Sequence, residues 1–184
     1  KLGIWIDFGN ILIEWSFIFD TLTVTKYLPI VLISCLIQKY SLEYKETDPH
    51  KSRFFSFLSK FCLAMLILVS GENFFLIIMG WELVGLASYL LISFWNTRIS
   101  ANKGAKSALF QNKIGDLTFI LGLTLFLAIF GDLSLATIFS LASHLNQDLV
   151  FILTSVILMT GASKSALFPL NTWLLRAKEG PTSV

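Results

Sequence analysis

The sequence is poor in most of what a soluble enzyme uses for chemistry. It has two cysteines and two histidines in 184 residues, and charged residues make up only 14% of the chain. Cys35 and Cys62 lie in separate apolar runs with no CxxC or histidine-rich neighbourhood, so they read as buried packing residues, not a disulfide or metal pair. There is no GxGxxG, no Walker loop and no cysteine cluster, which removes the usual sequence frames for nucleotide, flavin and iron–sulfur cofactors. No redox site is expected in this chain. Basic residues form no stripe with interleaved aromatics and the net charge is only +2, so nucleic acid is excluded as a partner.

What is abundant is apolar surface. Hydrophobic residues make up 55% of the chain and mean hydropathy is +0.74, more than a soluble domain of this length can hide. The fold expected is an all-α integral membrane protein. Five apolar stretches, about 17–38, 54–70, 74–95, 107–130 and 149–175, approach the ~20 residues that a helix needs to cross a bilayer. Before them, the β-prone runs Gly3-Ile4-Trp5-Ile6 and Ile11-Leu12-Ile13-Glu14-Trp15 flank the turn cluster Asp7-Phe8-Gly9-Asn10. Residues 1–16 are therefore expected as a small hairpin outside the membrane, and 17–184 as the transmembrane part. No signal peptide is visible, and both ends look cut from something longer.

Positive charge sets the orientation. Lys39, Lys45, Lys51, Arg53, Arg98, Lys103, Lys106, Arg176 and Lys178 fall on one side of such a topology, and only Lys1 falls on the other. Basic loops face the inside, by the rule that retains Lys and Arg there. The other four basic residues lie in the spans. Lys60 is close enough to the basic side to snorkel, whereas Lys26, one turn before Pro29, is deeper and faces either a neighbouring acid or bilayer water.

Charges at bilayer depth cost several kcal/mol and are normally placed there to move ions or protons. Glu82, Lys113, Asp116 and Lys164 are such charges, and the phrases Gly80-Trp81-Glu82-Leu83-Val84-Gly85-Leu86, Asn112-Lys113-Ile114-Gly115-Asp116 and Lys164-Ser165-Ala166-Leu167-Phe168-Pro169-Leu170 carry them. Glu82, Asp116 and Lys164 fall toward the middle of their spans, and Glu82 is expected as counter-ion of Lys164, directly or through one water. At an effective dielectric of ~20, a pair ~4 Å apart is worth ~4 kcal/mol, so moving the carboxylate aside would release the lysine's proton. Lys113 and Asp116, three apart, share a helix face and form either a local salt bridge or a polar relay. Pro169 and the small residues before Lys164 are expected to interrupt the fifth helix between Ser163 and Leu170, opening a wet cavity beside the lysine. His50 and His144 read as solvated loop residues.

At these phrases, and at Phe19-Asp20-Thr21-Leu22-Thr23-Val24-Thr25, Thr47-Asp48-Pro49-His50, Arg53-Phe54-Phe55-Ser56-Phe57-Leu58-Ser59 and Gly180-Pro181-Thr182, the sequence resembles the antiporter-like chain 5 family of mitochondrial respiratory NADH:ubiquinone oxidoreductase, complex I. The resemblance runs the whole length. It implies that Glu82, Lys164 and Asp116 are the proton-translocating residues, with Lys113, where that family usually has arginine, in support. It implies a proton half-channel, coupled to electron transfer in subunits that hold NADH, flavin, iron–sulfur clusters and ubiquinone. It also implies a multi-pass mitochondrial inner-membrane location with the basic loops on the matrix side. Expected partners are lipids, other membrane-arm subunits and the polypeptides that supply the rest of the antiporter fold, because several of the family's helices are missing. The charges at Lys26 and Lys60 depart from the family, as does the stretch Leu174-Leu175-Arg176-Ala177-Lys178 after Trp173, and an internal or split fragment is the expected status of the chain. Two alternatives stand beside this. One is a subunit of a multisubunit cation/proton antiporter, the other a non-pumping scaffold; co-purifying redox subunits separate the first from complex I, and intact Glu82, Asp116 and Lys164 argue against the second.

Overall fold

The computed structural model describes residues 2–7, 9 and 12–181. Strands β1 (Gly3–Asp7) and β2 (Leu12–Trp15) pair antiparallel, with Gly3 opposite Trp15 and an irregularity between Ile4 and Ile6. Of the expected turn, Phe8, Asn10 and Ile11 lie outside the described residues, as do Lys1 and residues 182–184. Among the described residues seven helices follow: α1 (Thr21–Tyr44), α2 (Lys51–Ser70), α3 (Phe74–Ile92), α4 (Ile99–Phe130), α5 (Leu135–Ala142), α6 (Gln147–Lys164) and α7 (Thr172–Ala177).

The helices α1 to α4 are long and apolar enough to cross a membrane. The expected fifth span is interrupted where the sequence predicts a break: it is two helices, α6 and α7, separated by residues 165–171. Two boundaries differ from expectation. The polar stretch before residue 107 is already helical, because its small residues Ala101, Gly104 and Ala105 are buried and α7 packs over them. The loop before α6 contains α5, whose N-terminus is capped by the Ser134 hydroxyl accepting from the Thr137 N–H.

Packing proceeds in chain order. α1 leans on α2, α2 on α3 and α3 on α4, while α4 is also covered by α6 and α7. At one end Phe54, Leu58, Leu91 and Phe94 form an apolar cluster; at the other Phe126, Leu133, Ile138 and Leu153 do so. Asn73 joins the hairpin to the bundle: its side-chain oxygen accepts from the Leu76 N–H as an N-cap, and its amide donates to the Glu14 carbonyl at 2.9 Å. Trp5, its ring tilted over Trp15 with centroids 4.5 Å apart, rests edge-on against Phe75. α1 buries only Thr23 and Ser41, so its apolar face is turned to lipid or protein. Cys35 is exposed on it, against the expectation of burial, and Cys62 is half-buried with its thiol donating to Ser34 Oγ at 3.4 Å.

One loop lysine is buried. Lys45 caps the end of α1 with 2% of its surface exposed, its ammonium 2.8 Å from Asp48 Oδ2 and 4.3 and 4.4 Å from the ring centres of Phe94 and Trp95. The rings' negative faces and the carboxylate hold the cation in place of water. The hydrogen bond from Lys45, with another from the His50 N–H, keeps the Asp48 carboxyl below its ordinary 3.8 against a smaller opposing effect of burial. A depressed folded value means that this stabilisation is full above 3.8 and disappears as pH falls through the lower folded value. At neutral pH, Asp48→Asn leaves the buried ammonium without its counter-charge; a loss of about 1.5–3 kcal/mol is expected, the range for hydrogen bonds to charged groups. Faster proteolysis of the 45–50 loop in Asp48→Asn, and in the unmodified protein below the carboxylate range, checks this.

Candidate functional site

Three helices bring the membrane-depth charges together: α3 supplies Glu82, α4 supplies Lys113 and Asp116, and α6 ends on Lys164. α4 and α6 pack tightly at Gly115, where Ser163 sits fully buried. An added Cβ on Gly115 would stand 1.7 Å from Ser163 Oγ. Only a residue without a side chain permits that crossing, the small-residue packing common between membrane helices. One turn on, away from the basic end, the Thr118 and Thr160 hydroxyls meet at 3.0 Å. Toward the basic end, Trp173 of α7 donates from its indole to the Ser163 carbonyl at 3.1 Å, and from its backbone to Gln111 Oε1 at 2.9 Å. The interruption of the fifth element is thereby tied to α4 on both sides. Within it Ala166 adopts a positive φ of 51°, Pro169 has no N–H to donate, and the Ser165 and Leu167 N–H groups reach back to the Gly161 and Ala162 carbonyls.

The charges connect in series. Lys113 Nζ is 2.6 Å from Glu82 Oε2 and 3.3 Å from Asp116 Oδ2, so one ammonium bridges two carboxylates. The Trp81 indole N–H donates to the other Asp116 oxygen at 3.1 Å. Lys164 Nζ donates to the Trp81 carbonyl at 3.2 Å and lies 5.5 Å from its ring centre. The ammonium also rests on Gly85, where an added Cβ would come within 2.6 Å of Nζ.

The direct pairing expected between Glu82 and Lys164 is not formed, and helix geometry gives the reason. Trp81 and Gly85 are four apart and share the face of α3 that Lys164 packs on, whereas Glu82 is turned ~100° from Trp81 and meets Lys113. Burial is uneven. The Asp116 side chain is 7% exposed, while Glu82 and Lys113 are 39% and 56% exposed on the surface of this chain. Beside them is a cleft of about 200 Å³ lined by Glu82, Gly85, Asn112, Lys113 and Asp116 among others. Asn112 is buried there and its Oδ1 has no partner.

Sequence reasoning assigned no role to Trp81 or Gly85, although both stand in a phrase it singled out. The available signal was their i, i+4 spacing beside a charged residue. Lys26 and Lys60 join none of this: both are exposed, with Lys60 Nζ 5.9 Å from the Phe57 ring centre. His50 and His144 are likewise outside the cluster, immediately before α2 and just after α5. No grouping of three or more metal-ligating side chains occurs among the described residues.

A bundle of membrane-length helices with its charges strung between three of them is a membrane-embedded unit with an internal polar path. The chain belongs to the NADH:quinone oxidoreductase/Mrp antiporter transmembrane family, whose model matches residues 71–184; residues 5–55 match the N-terminus of NADH-ubiquinone oxidoreductase (complex I) chain 5. It is 47% identical to NADH-ubiquinone oxidoreductase chain 5 of Rhizopus stolonifer and 44% identical to that of Cryptococcus neoformans var. grubii, in each case over 100% of this chain and 28% of the relative. With the same protein of Yarrowia lipolytica it shares 47% identity over 94% of this chain and 26% of that one. The chain thus spans little more than a quarter of its curated relatives. A structure of the Mrp complex from Dietzia sp. DQ12-45-1b matches with a TM-score of 0.83 over 89% of this chain and 18% of that chain, at 22% identity, a likeness of fold.

Proposed function

We propose that this chain supplies a proton half-channel to the membrane arm of a respiratory NADH:ubiquinone oxidoreductase in the mitochondrial inner membrane, with its basic loops on the matrix side. The observation that carries it is the series Glu82, Lys113, Asp116, Trp81, Lys164, in which each ionisable group is held by a neighbour from another helix or one turn away. Electron transfer takes place in other subunits, which hold NADH, flavin, iron–sulfur clusters and ubiquinone; this chain's residues hold and hand on protons.

Lys113 has a central part. While both carboxylates are ionised it is attracted to each; a proton arriving on Glu82 weakens one attraction and leaves the ammonium to Asp116. At an effective dielectric of ~20 each contact at ~4 Å is worth ~4 kcal/mol, enough to reposition a flexible side chain and pass a charge shift inward. The cleft has a mostly apolar wall but is roomy enough for water, and the unpartnered Asn112 oxygen together with Glu82, Lys113 and Asp116 gives such water the polar contacts to link these groups. The partners follow from exposure. Asp116 is covered by this chain's own helices, but the Glu82 and Lys113 pair and Lys26 are open, and lipid satisfies neither. Other polypeptides of the membrane arm, including those completing the antiporter fold, cover them. The hairpin of residues 1–16 is an extramembrane piece beside the spans at 17–184.

Extraction of the tagged chain in mild detergent tests this. Flavin and iron–sulfur subunits with NADH:quinone reductase activity are expected to accompany it. The Mrp fold likeness supports a second reading, a cation/proton antiporter subunit, and recovery with antiporter membrane subunits alone would favour it. Recovery as a folded, monodisperse monomer would overturn both and leave a scaffold.

A further inference from the structure

Trp81 touches two ionisable groups of the proposed path at once, Asp116 and Lys164. Its indole N–H donates to Asp116 Oδ1 at 3.1 Å, its carbonyl accepts from Lys164 Nζ at 3.2 Å, and its ring centre is 5.5 Å from the same ammonium. The ring is held in place by an edge-to-face contact with Phe119, centroids 5.5 Å apart and planes at 81°. Asp116 and Lys164 form no ion pair of their own, although they carry opposite charges on adjoining helices. The chemistry of the wedge matters more than its bulk. An indole is a donor only: it has one N–H and no nitrogen lone pair to accept with. A proton relay needs a group that accepts on one side and donates on the other. Trp81 therefore holds a carboxylate through its indole and an ammonium through its carbonyl and ring face without conducting between them.

We propose that Trp81 is the insulating gate of this path, blocking proton exchange between Asp116 and Lys164 until the indole swings clear and water takes its place. Gly85, one turn on, gives the ammonium room beside the ring, and the cleft at Asp116 supplies space for that water. Trp81 is a positioning residue: it carries no proton, and sets when its two neighbours exchange one. The inference rests on the proton-path reading, deepens it, and fails separately from it.

The test uses the assembled complex in liposomes, with passive proton conductance measured without substrate and the proton-to-electron ratio measured with it. Trp81→Phe keeps a ring that cannot relay, and is expected to stay as proton-tight as the unmodified complex. Trp81→His introduces a ring that both accepts and donates, and is expected to raise passive conductance several-fold, with the leak following titration of the imidazole. A His variant as tight as the unmodified complex, or a Phe variant that leaks as much as the His variant, overturns the gate. Lys164→Met is measured alongside. A normal proton-to-electron ratio in that variant overturns the path itself, whereas loss of pumping there with tight conductance in both Trp81 variants overturns only the gate. Should Trp81→His fail to assemble, Trp81→Tyr, whose hydroxyl can both accept and donate, takes its place with the same expectation of leak.

Discussion

Lys164→Met is expected to lower the proton-to-electron ratio of the assembled complex far more than its rate of NADH oxidation. Methionine nearly matches the volume and flexibility of the lysine stem, so the packing beside Gly85 and the end of α6 survives. What is lost is the ammonium: its hydrogen bond to the Trp81 carbonyl, its position over the indole, and the only basic group of the described residues on the α6 side of the path. On the proposed path, a proton passed inward from Lys113 and Asp116 then has no acceptor at the break between α6 and α7. A tenfold or greater fall in this half-channel's flux corresponds to about 1.4 kcal/mol or more on the limiting step, a modest demand for deleting a charge in a low-dielectric site. Pumping is read with a pH-sensitive dye in proteoliposomes and oxidation by NADH absorbance. A ratio equal to that of the unmodified complex would remove Lys164 from the path.

Which charges stand out in the spans was legible in the sequence, and how they pair was not, for a definite physical reason. Glu82, Lys113, Asp116 and Lys164 stand out because each interrupts an apolar run, and that needs no coordinates. Partner choice depends on the rotation of α3. A turn of one residue separates the face of Trp81 and Gly85 from that of Glu82, and so decides that Lys164 meets a carbonyl and an indole while Glu82 meets Lys113. The spans were likewise legible where composition is uniform, as in α2 and α3. They were missed where tertiary packing decides. The early turns of α4 carry Asn102, Lys103 and Lys106 but are helical because small residues between them let α7 settle on that face. Lys45 looked like one more solvated loop charge until the ends of α1, α2 and α3 closed aromatics around it. The wedge at Trp81 was hidden because aromatics in apolar helices are common, and only its neighbours on α4 and α6 make it more than packing.

Gly115→Ala should be the most damaging substitution of a single methyl in this chain, through geometry and not charge. The new Cβ would lie 1.7 Å from Ser163 Oγ and 2.5 Å from Ser163 Cβ, far inside any contact that real side chains tolerate. Ser163 cannot turn away cheaply: it is fully buried, its hydroxyl donates to the Thr160 carbonyl at 2.8 Å, and its own carbonyl accepts from Trp173. α6 must therefore shift as a unit, taking Lys164 off Trp81 and straining the Thr118 to Thr160 contact. Overpacking of this kind costs about 1–3 kcal/mol, occasionally more, and here it falls on the crossing that sets the path's geometry. The expected outcome is a lower melting temperature of the detergent-extracted complex and less of it assembled on native gels. The double variant Gly115→Ala with Ser163→Gly removes both clashing atoms and should recover most of the loss, giving a coupling energy of the sign and size typical of residues in direct contact. If Gly115→Ala alone assembles and melts like the unmodified protein, α4 and α6 are not locked at this crossing, and the placement of Lys164 over Trp81 loses its structural support.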